Sequence, residues 1–281
     1  MRKLSPTFLN CLKSGFLSPI TGYVRNDHDL NLEIRKSYIN IYYKGNSLLQ
    51  LNEIGSLLHY KAAIHTKFIE NVDISLDFSE STVPLFIKSI PLIKANINRH
   101  GQDSLELEYE QMIVRSNNFE RRNNTEYFIV DRQYKIGKDR FDLTGIYWDR
   151  SKRRRNQQVP VCLLEVKFAL NSDIRKIHTQ LSRYYESITG RAAAIAEELE
   201  TIFKQKLELN LYDQSPDRLR AMKTLTFSKD FKDFQFILVF VDYNPNSSLL
   251  ALENLRRLPF ANQIKVFHTG FGMWRHNVSS L

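Results

Sequence analysis

The chain has 281 residues, 42% of them hydrophobic and 25% charged, a balance that excludes a disordered or low-complexity polypeptide and leaves enough apolar material for a real core. Forty basic against 31 acidic side chains give a net charge of +9, which favours a polyanionic partner through phosphate neutralisation without separating a catalyst from a passive binder. No apolar run approaches the roughly 20 residues of a membrane helix, and the N-terminus lacks a hydrophobic leader core. A reducing cytoplasm with no membrane partner is therefore expected. Cys11 and Cys162 lack the paired Cys/His spacing of a zinc site.

In chain order, Leu32-Glu33-Ile34-Arg35 and Tyr38 to Tyr43 read as strands, a turn falls at Lys44-Gly45-Asn46, and Ser47 to Leu51 return as the second arm of a hairpin. From Val83 to Asn98, Phe86, Ile87, Ile90, Ile93 and Ile97 recur at helical spacing, with Pro91 kinking or beginning the element. Asn98-Arg99-His100-Gly101 divides the chain into a β-rich accessory domain, residues 1–100, and a second domain, residues 101–281. That second region opens with a carboxylate-rich helix, Ser104 to Val114. The strand Tyr127 to Val130 and a connection from Tyr134 to Gly137 follow, and then the strand Phe141 to Ile146. A basic loop, Arg150 to Gln158, leads to the strand Cys162 to Phe168. Asn171-Ser172-Asp173 starts a helix carrying Ile174, Ile177, Leu181, Tyr185 and Ile188 on one stripe. A helix from Arg191 to Leu209, an apolar strand from Phe234 to Val241 and an edge strand at Ile264 to Phe267 complete the series. The order predicts an α/β fold with a mixed central sheet between helices.

The chemistry concentrates on two of those strands. Side chains alternate along a strand, so Glu165 and Lys167 share one face while Leu164, Val166 and Phe168 enter a core. With Asp142 from the preceding strand, this pattern can hold Mg²⁺ or Mn²⁺ against a phosphodiester. Lys167 would orient the attacking water or neutralise developing charge. Lys152-Arg153-Arg154-Arg155 lies between the two strands in sequence, and Arg153, Arg154 and Arg155 either grip substrate phosphate or form a solvated loop tip. The seven histidines show no H-E-x-x-H spacing, and no G-x-x-x-x-G-K-[ST] loop is present. Tyr38, Tyr42, Tyr43 and the closing Phe271-Gly272-Met273-Trp274 are read as core in preference to a base-stacking surface.

Asp142 followed by Glu165-Val166-Lys167, both in predicted strands, resembles the motif of the PD-(D/E)xK nuclease superfamily, with Phe141 where a proline often stands. Gln180-Leu181-Ser182-Arg183-Tyr184 is similar to the Q-x-x-x-Y element of its RecB-like branch; Gln180 and Tyr184 share a helical face. The resemblance spans about residues 104 to 245. It implies a restriction-endonuclease-like fold, hydrolysis of DNA, a Mg²⁺ or Mn²⁺ cofactor, and catalytic roles for Asp142, Glu165, Lys167, Gln180 and Tyr184. It also implies a helical glutamate beside Asp142 and Glu165 at the metal, with Glu106, Glu108 and Glu110 as candidates and Glu110 favoured by its apolar neighbours. A homodimer or partner protein could engage residues 1–100. The alternative is a catalytically silent nucleic-acid-binding module of a larger complex.

Overall fold

A computed structural model describes every residue except 56–57, 103, 154–157 and 275–281. Near the N-terminus, the Ser5 hydroxyl accepts from the Phe8 amide and a proline occupies the first turn, two signals that start a helix: α1 (Pro6–Lys13). A second short helix, α2 (Ser18–Asn26), follows. The sequence reading has no helix here, because each is little more than two turns long and its apolar stripe repeats too few times to stand out. Phe8, Leu12, Ile20 and Val24 are nonetheless buried.

Five antiparallel strands then form a sheet in simple chain order: β1 (Leu30–Ile34), β2 (Tyr38–Tyr43), β3 (Asn46–Ile54), β4 (His59–Ala63) and β5 (Asp77–Phe78). The β2–β3 turn holds Lys44 at φ 46° and Gly45 at φ 74°, the left-handed pair that a tight hairpin requires. Helix α3 (Val83–His100) covers the sheet and runs through Pro91 instead of starting there. An interior proline costs about 3 kcal/mol. Burial of Val83, Phe86, Ile90, Ile93 and Ile97, at roughly 1.5–3 kcal/mol each, outweighs it.

Beyond Gly101 come α4 (Leu105–Asn118), β6 (Tyr127–Ile136), β7 (Asp139–Tyr147), β8 (Val161–Phe168), α5 (Ile177–Ile188), α6 (Ala192–Glu208), α7 (Pro216–Met222), β9 (Gln235–Val241), α8 (Leu252–Arg256) and β10 (Ile264–Thr269). The five strands order as β10-β9-β8-β7-β6. Pairing is parallel from β10 to β8 and antiparallel from β8 to β6, so the expected mixed sheet is present. Cys162, Leu164 and Val166 pack with Val114 of α4 on one face; Leu163 packs with α5 and α6 side chains on the other. The predicted connection over Tyr134 to Gly137 is corrected: Tyr134–Ile136 extend β6, and the turn is at Gly137, φ 59°. The polar run Asp131-Arg132-Gln133 reads as the end of a strand. It is not, because Asp131 and Arg132 are buried and paired.

The two sheets share one continuous apolar core running from Phe8 through Tyr134 to Phe260. Charged groups also cross between them. Asp131 of β6 accepts from Arg2 at 2.5 Å and from Arg35, while Lys206 of α6 meets Glu33 of β1 at 2.7 Å. Burial holds the Glu33 carboxyl up at about 7, against the pull of the Lys206 ammonium and with a further push from Asp131. Asp131 is buried as well, but Arg35 and Arg2 bring it below the usual carboxylate range.

Two expectations follow from these contacts. A Cβ at Gly45 would stand 2.5 Å from the Leu107 Cβ, whereas among the described residues nothing lies within 4 Å of one at Gly55, whose φ is also positive. Gly55→Ala should therefore cost about 1 kcal/mol from backbone strain alone, and Gly45→Ala about 2 kcal/mol or more, measured by urea unfolding. For Glu33, the folded carboxyl holds its proton more tightly than the unfolded one, so this contribution is fully present below about 4.5 and is lost as pH rises through about 7. Asp131 acts in the opposite sense, its contribution being lost on acidification. Glu33 should contribute a fall in wild-type stability on the order of 2 kcal/mol between pH 5 and pH 8, and Glu33→Gln should make the fall smaller by that amount.

Candidate active site

Strands β7 and β8 pair from Ile146↔Val161 to Leu143↔Leu164, where the ladder stops. One residue further, Asp142 turns its carboxylate onto the neighbouring strand, and its Oδ2 accepts from the Val166 amide at 2.9 Å. A side chain thus takes the place of a backbone partner, and the strands part. Glu165 and Lys167 stand on β8 at this opening, and the Lys167 Nζ donates to Glu165 Oε1 at 2.6 Å. Neither group is more than 7% exposed.

The helix after β8 brings two further groups. Asn171 accepts from the Asp173 amide to begin a 3₁₀ turn, which leads into α5. Gln180 and Tyr184, one helical turn apart, both reach Glu165: Gln180 Nε2 donates to Oε1 at 2.6 Å and the Tyr184 hydroxyl donates to Oε2 at 3.1 Å. Gln180 also donates to the Tyr184 oxygen at 2.6 Å, and the Arg140 carbonyl is a second acceptor for the phenol at 2.9 Å. The Tyr184 ring rests against Phe141, centroids 4.4 Å apart.

Charge is unbalanced here. Burial, then the Glu165 and Glu110 carboxylates, push Asp142 well above the usual carboxylate range; the Val166 amide and Lys167 offset this only in part. Burial alone would lower Lys167, yet Glu165, Asp142 and Glu106 outweigh it and raise the ammonium. Burial and Glu165 likewise raise the Tyr184 phenol.

These side chains open into a cleft of about 830 Å³. Asp142, Glu165, Lys167, Gln180 and Tyr184 line it together with Glu106, whose carboxylate is 3.7 Å from Lys167 Nζ. Glu108 and Glu110 do not line it. Glu110, the favoured third ligand in the sequence reading, lies behind the cleft with Oε2 accepting from Arg132 at 3.2 Å and Oε1 from Gln133 at 2.6 Å. It is buried, and both of its oxygens are taken by β6 side chains. The rim carries Lys135, Lys138, Arg140, Lys176 and Arg183, a basic border the sequence reading missed. Its signal was the charge flanking the Gly137 turn just before Asp142.

The basic loop between β7 and β8 is corrected in position. Asp142 lies near the start of β7 and Glu165 near the end of β8, so their connection leaves from the far end of the sheet, about 17 Å along the strand. There Arg153 donates to the Asn124 side chain at 2.7 Å and the Thr125 carbonyl at 2.6 Å, and lies over the Trp148 ring. It does not face the cleft; Arg154 and Arg155 lie outside the described residues. Of the three tyrosines read as core, Tyr43 is buried and Tyr38 and Tyr42 are half-buried, while Phe271 and Met273 are exposed.

Among the described residues, no three His, Cys, Asp or Glu side chains are gathered as a ready metal site. Asp142 and Glu165 nevertheless offer hard oxygen donors in a buried pocket with excess negative charge, a donor chemistry that suits Mg²⁺ or Mn²⁺ with water in the remaining positions. No family model, curated protein or solved structure matches this chain.

The crowding of carboxylates yields a test without substrate. With metal chelated, Asp142→Asn keeps the acceptor for the Val166 amide and removes the repelling charge, so thermal unfolding at pH 8 should shift upward, by about 1–2 kcal/mol of added stability. An unchanged or lower Tm would show that Asp142 is not under electrostatic strain.

Proposed function

We propose that the chain is a metal-dependent phosphodiesterase acting on nucleic acid, with DNA as its substrate, built on a restriction-endonuclease-like sheet. The observation that carries this reading is the convergence of Asp142, Glu165 and Lys167 from adjacent strands, with Gln180 and Tyr184 from α5, in one basic-rimmed cleft. Apolar strands do not bury such charges for stability, since isolated buried ions cost several kcal/mol.

In this reading Asp142 and Glu165 hold Mg²⁺ or Mn²⁺, which when bound supplies Lewis acidity toward a phosphoryl oxygen and lowers the pKa of water. The residues around them have distinct tasks. Lys167 and Gln180 fix Oε1 of Glu165 and hold the carboxylate's orientation, while Tyr184 donates to Oε2 with the Arg140 carbonyl as a second acceptor. Lys167 stands beside the reacting phosphate to orient water and offset the charge that grows in the transition state. Lys135, Lys138, Arg140, Lys176 and Arg183 hold the substrate backbone. Glu106 is the helical carboxylate that lines the cleft, 3.7 Å from Lys167 Nζ, while Glu110 acts on Asp142 from behind.

A second reading, a silent nucleic-acid-binding module, draws on one observation: Glu165 Oε1 already accepts from both Lys167 and Gln180, leaving that oxygen satisfied without a metal. Incubation with linear, circular and single-stranded DNA separates the two. The enzyme should cleave with Mg²⁺ or Mn²⁺ and stop on chelation, and Asp142→Ala and Lys167→Ala should each slow cleavage by roughly 100-fold or more. Salt-sensitive DNA binding without turnover would favour the silent module, and cleavage undiminished in both variants would remove the assignment.

A further inference from the structure

Arg132 lies behind the cleft and is not among the residues that line it. Its guanidinium is buried, with Nη2 donating to the Leu107 carbonyl at 3.0 Å and to Glu110 Oε2 at 3.2 Å. Among the described residues, its Nε and Nη1 have no hydrogen-bond partner. Buried donors left unpaired are destabilising, so this side chain is a poor choice for stability alone. It does hold the first turn of α4, the turn that presents Glu106 to Lys167.

The N-terminal sheet grips the same turn from the other side. The Tyr42 ring lies 5.4 Å from the Arg132 guanidinium carbon. The Gly45 amide donates to Gln111 of α4 at 3.1 Å, Gln111 returns a bond of 3.1 Å to the Tyr42 carbonyl, and Gly45 abuts Leu107 so closely that no Cβ fits. Beside Arg132, Gln133 takes a left-handed φ of 53° within a strand and donates to Glu110, a strained conformation of the kind found near functional sites.

We propose that Arg132 is a positioning residue for the metal centre: it clamps Leu107 and Glu110 between the N-terminal sheet and β6, so that β2 and its hairpin form the back wall of the site. This inference rests on the phosphodiesterase reading above. Residues 1–100 then act on the centre through α4.

The test compares Arg132→Met and Arg132→Lys with wild type, using Mn²⁺ affinity by calorimetry with Asp142→Ala as the blank, then kcat, KM for DNA, and Tm. Arg132→Met should remain folded, bind Mn²⁺ 10- to 100-fold more weakly and lose kcat to a similar degree, with KM within about twofold. Arg132→Lys, able to reach one of the two acceptors, should recover part of the loss. Unchanged Mn²⁺ affinity and kcat in folded Arg132→Met would overturn the proposal. If that variant fails to fold, Tyr42→Leu, which removes the backing ring and keeps the guanidinium, should weaken Mn²⁺ binding at least about threefold; unchanged affinity there would overturn it equally. Wild type that binds Mn²⁺ without cleaving DNA defeats the enzyme reading while the affinity comparison still decides Arg132. Wild type that neither binds nor cleaves defeats both.

Discussion

The contact between Lys167 and Glu165, 2.6 Å across two positions of the middle strand, sets the terms for everything around it. Strand β8 has neighbours on both sides and helices over both faces, so a carboxylate and an ammonium there have little water to solvate them. Each must find its counter-charge and its hydrogen bonds within the protein. Lys167 answers only part of the need, because Asp142 and two glutamates of α4 press on the same place. The sheet responds by ending the β7–β8 ladder at Leu143↔Leu164, and α5 responds by sending Gln180 and Tyr184 back to Glu165.

A second set of buried charges ties this centre to the N-terminal sheet. Asp131, Arg132 and Gln133 are consecutive on β6, and they divide between two sets of partners. Asp131 meets Arg2 and Arg35, Arg132 meets Glu110, and Gln133 meets Glu110 from its bent backbone. Register shifts between Ile129 and Asp131, and such a bulge re-aims the side chains that follow it. One irregular strand thereby serves both the joint between the sheets and the rear of the cleft. Buried ion pairs contribute modestly to stability against an apolar alternative, yet are costly to break singly. The joint is thus sensitive to loss of any one partner.

What the sequence disclosed follows from whether a signal was local. Strands β7 and β8 were legible because apolar residues alternate around Asp142, Glu165 and Lys167, and Gln180 with Tyr184 because residues four apart share a helical face. The far half of β6 was hidden since its polar run satisfies itself through partners distant in sequence, Arg35 at one end and Glu110 at the other. Arg153 misled for the opposite reason. Nearness in sequence to both acidic strands suggested nearness to the site, but in an antiparallel pair the connecting loop and the open ends are separated by the length of the strands. The choice among Glu106, Glu108 and Glu110 could not be made from apolar neighbours, because the partners that engage Glu110, Arg132 and Gln133, lie far along the chain on β6.

The donors around Glu165 differ in how firmly they hold it. Three donors, from Lys167, Gln180 and Tyr184, converge on its two oxygens, but they are not equivalent. The Tyr184 hydroxyl has one proton and a second acceptor in the Arg140 carbonyl at 2.9 Å, so it can turn from Oε2 to that carbonyl without losing its hydrogen bond. Glu165 Oε2 then becomes available while Oε1 stays fixed by Lys167 and Gln180, and the carboxylate keeps its orientation. Asp142 has one oxygen anchored on the Val166 amide, which fixes the direction of the other. The parting of the strands thus leaves two carboxylates with one oxygen each held by fixed donors, and the position of a single phenolic proton decides whether the second Glu165 oxygen is also bonded.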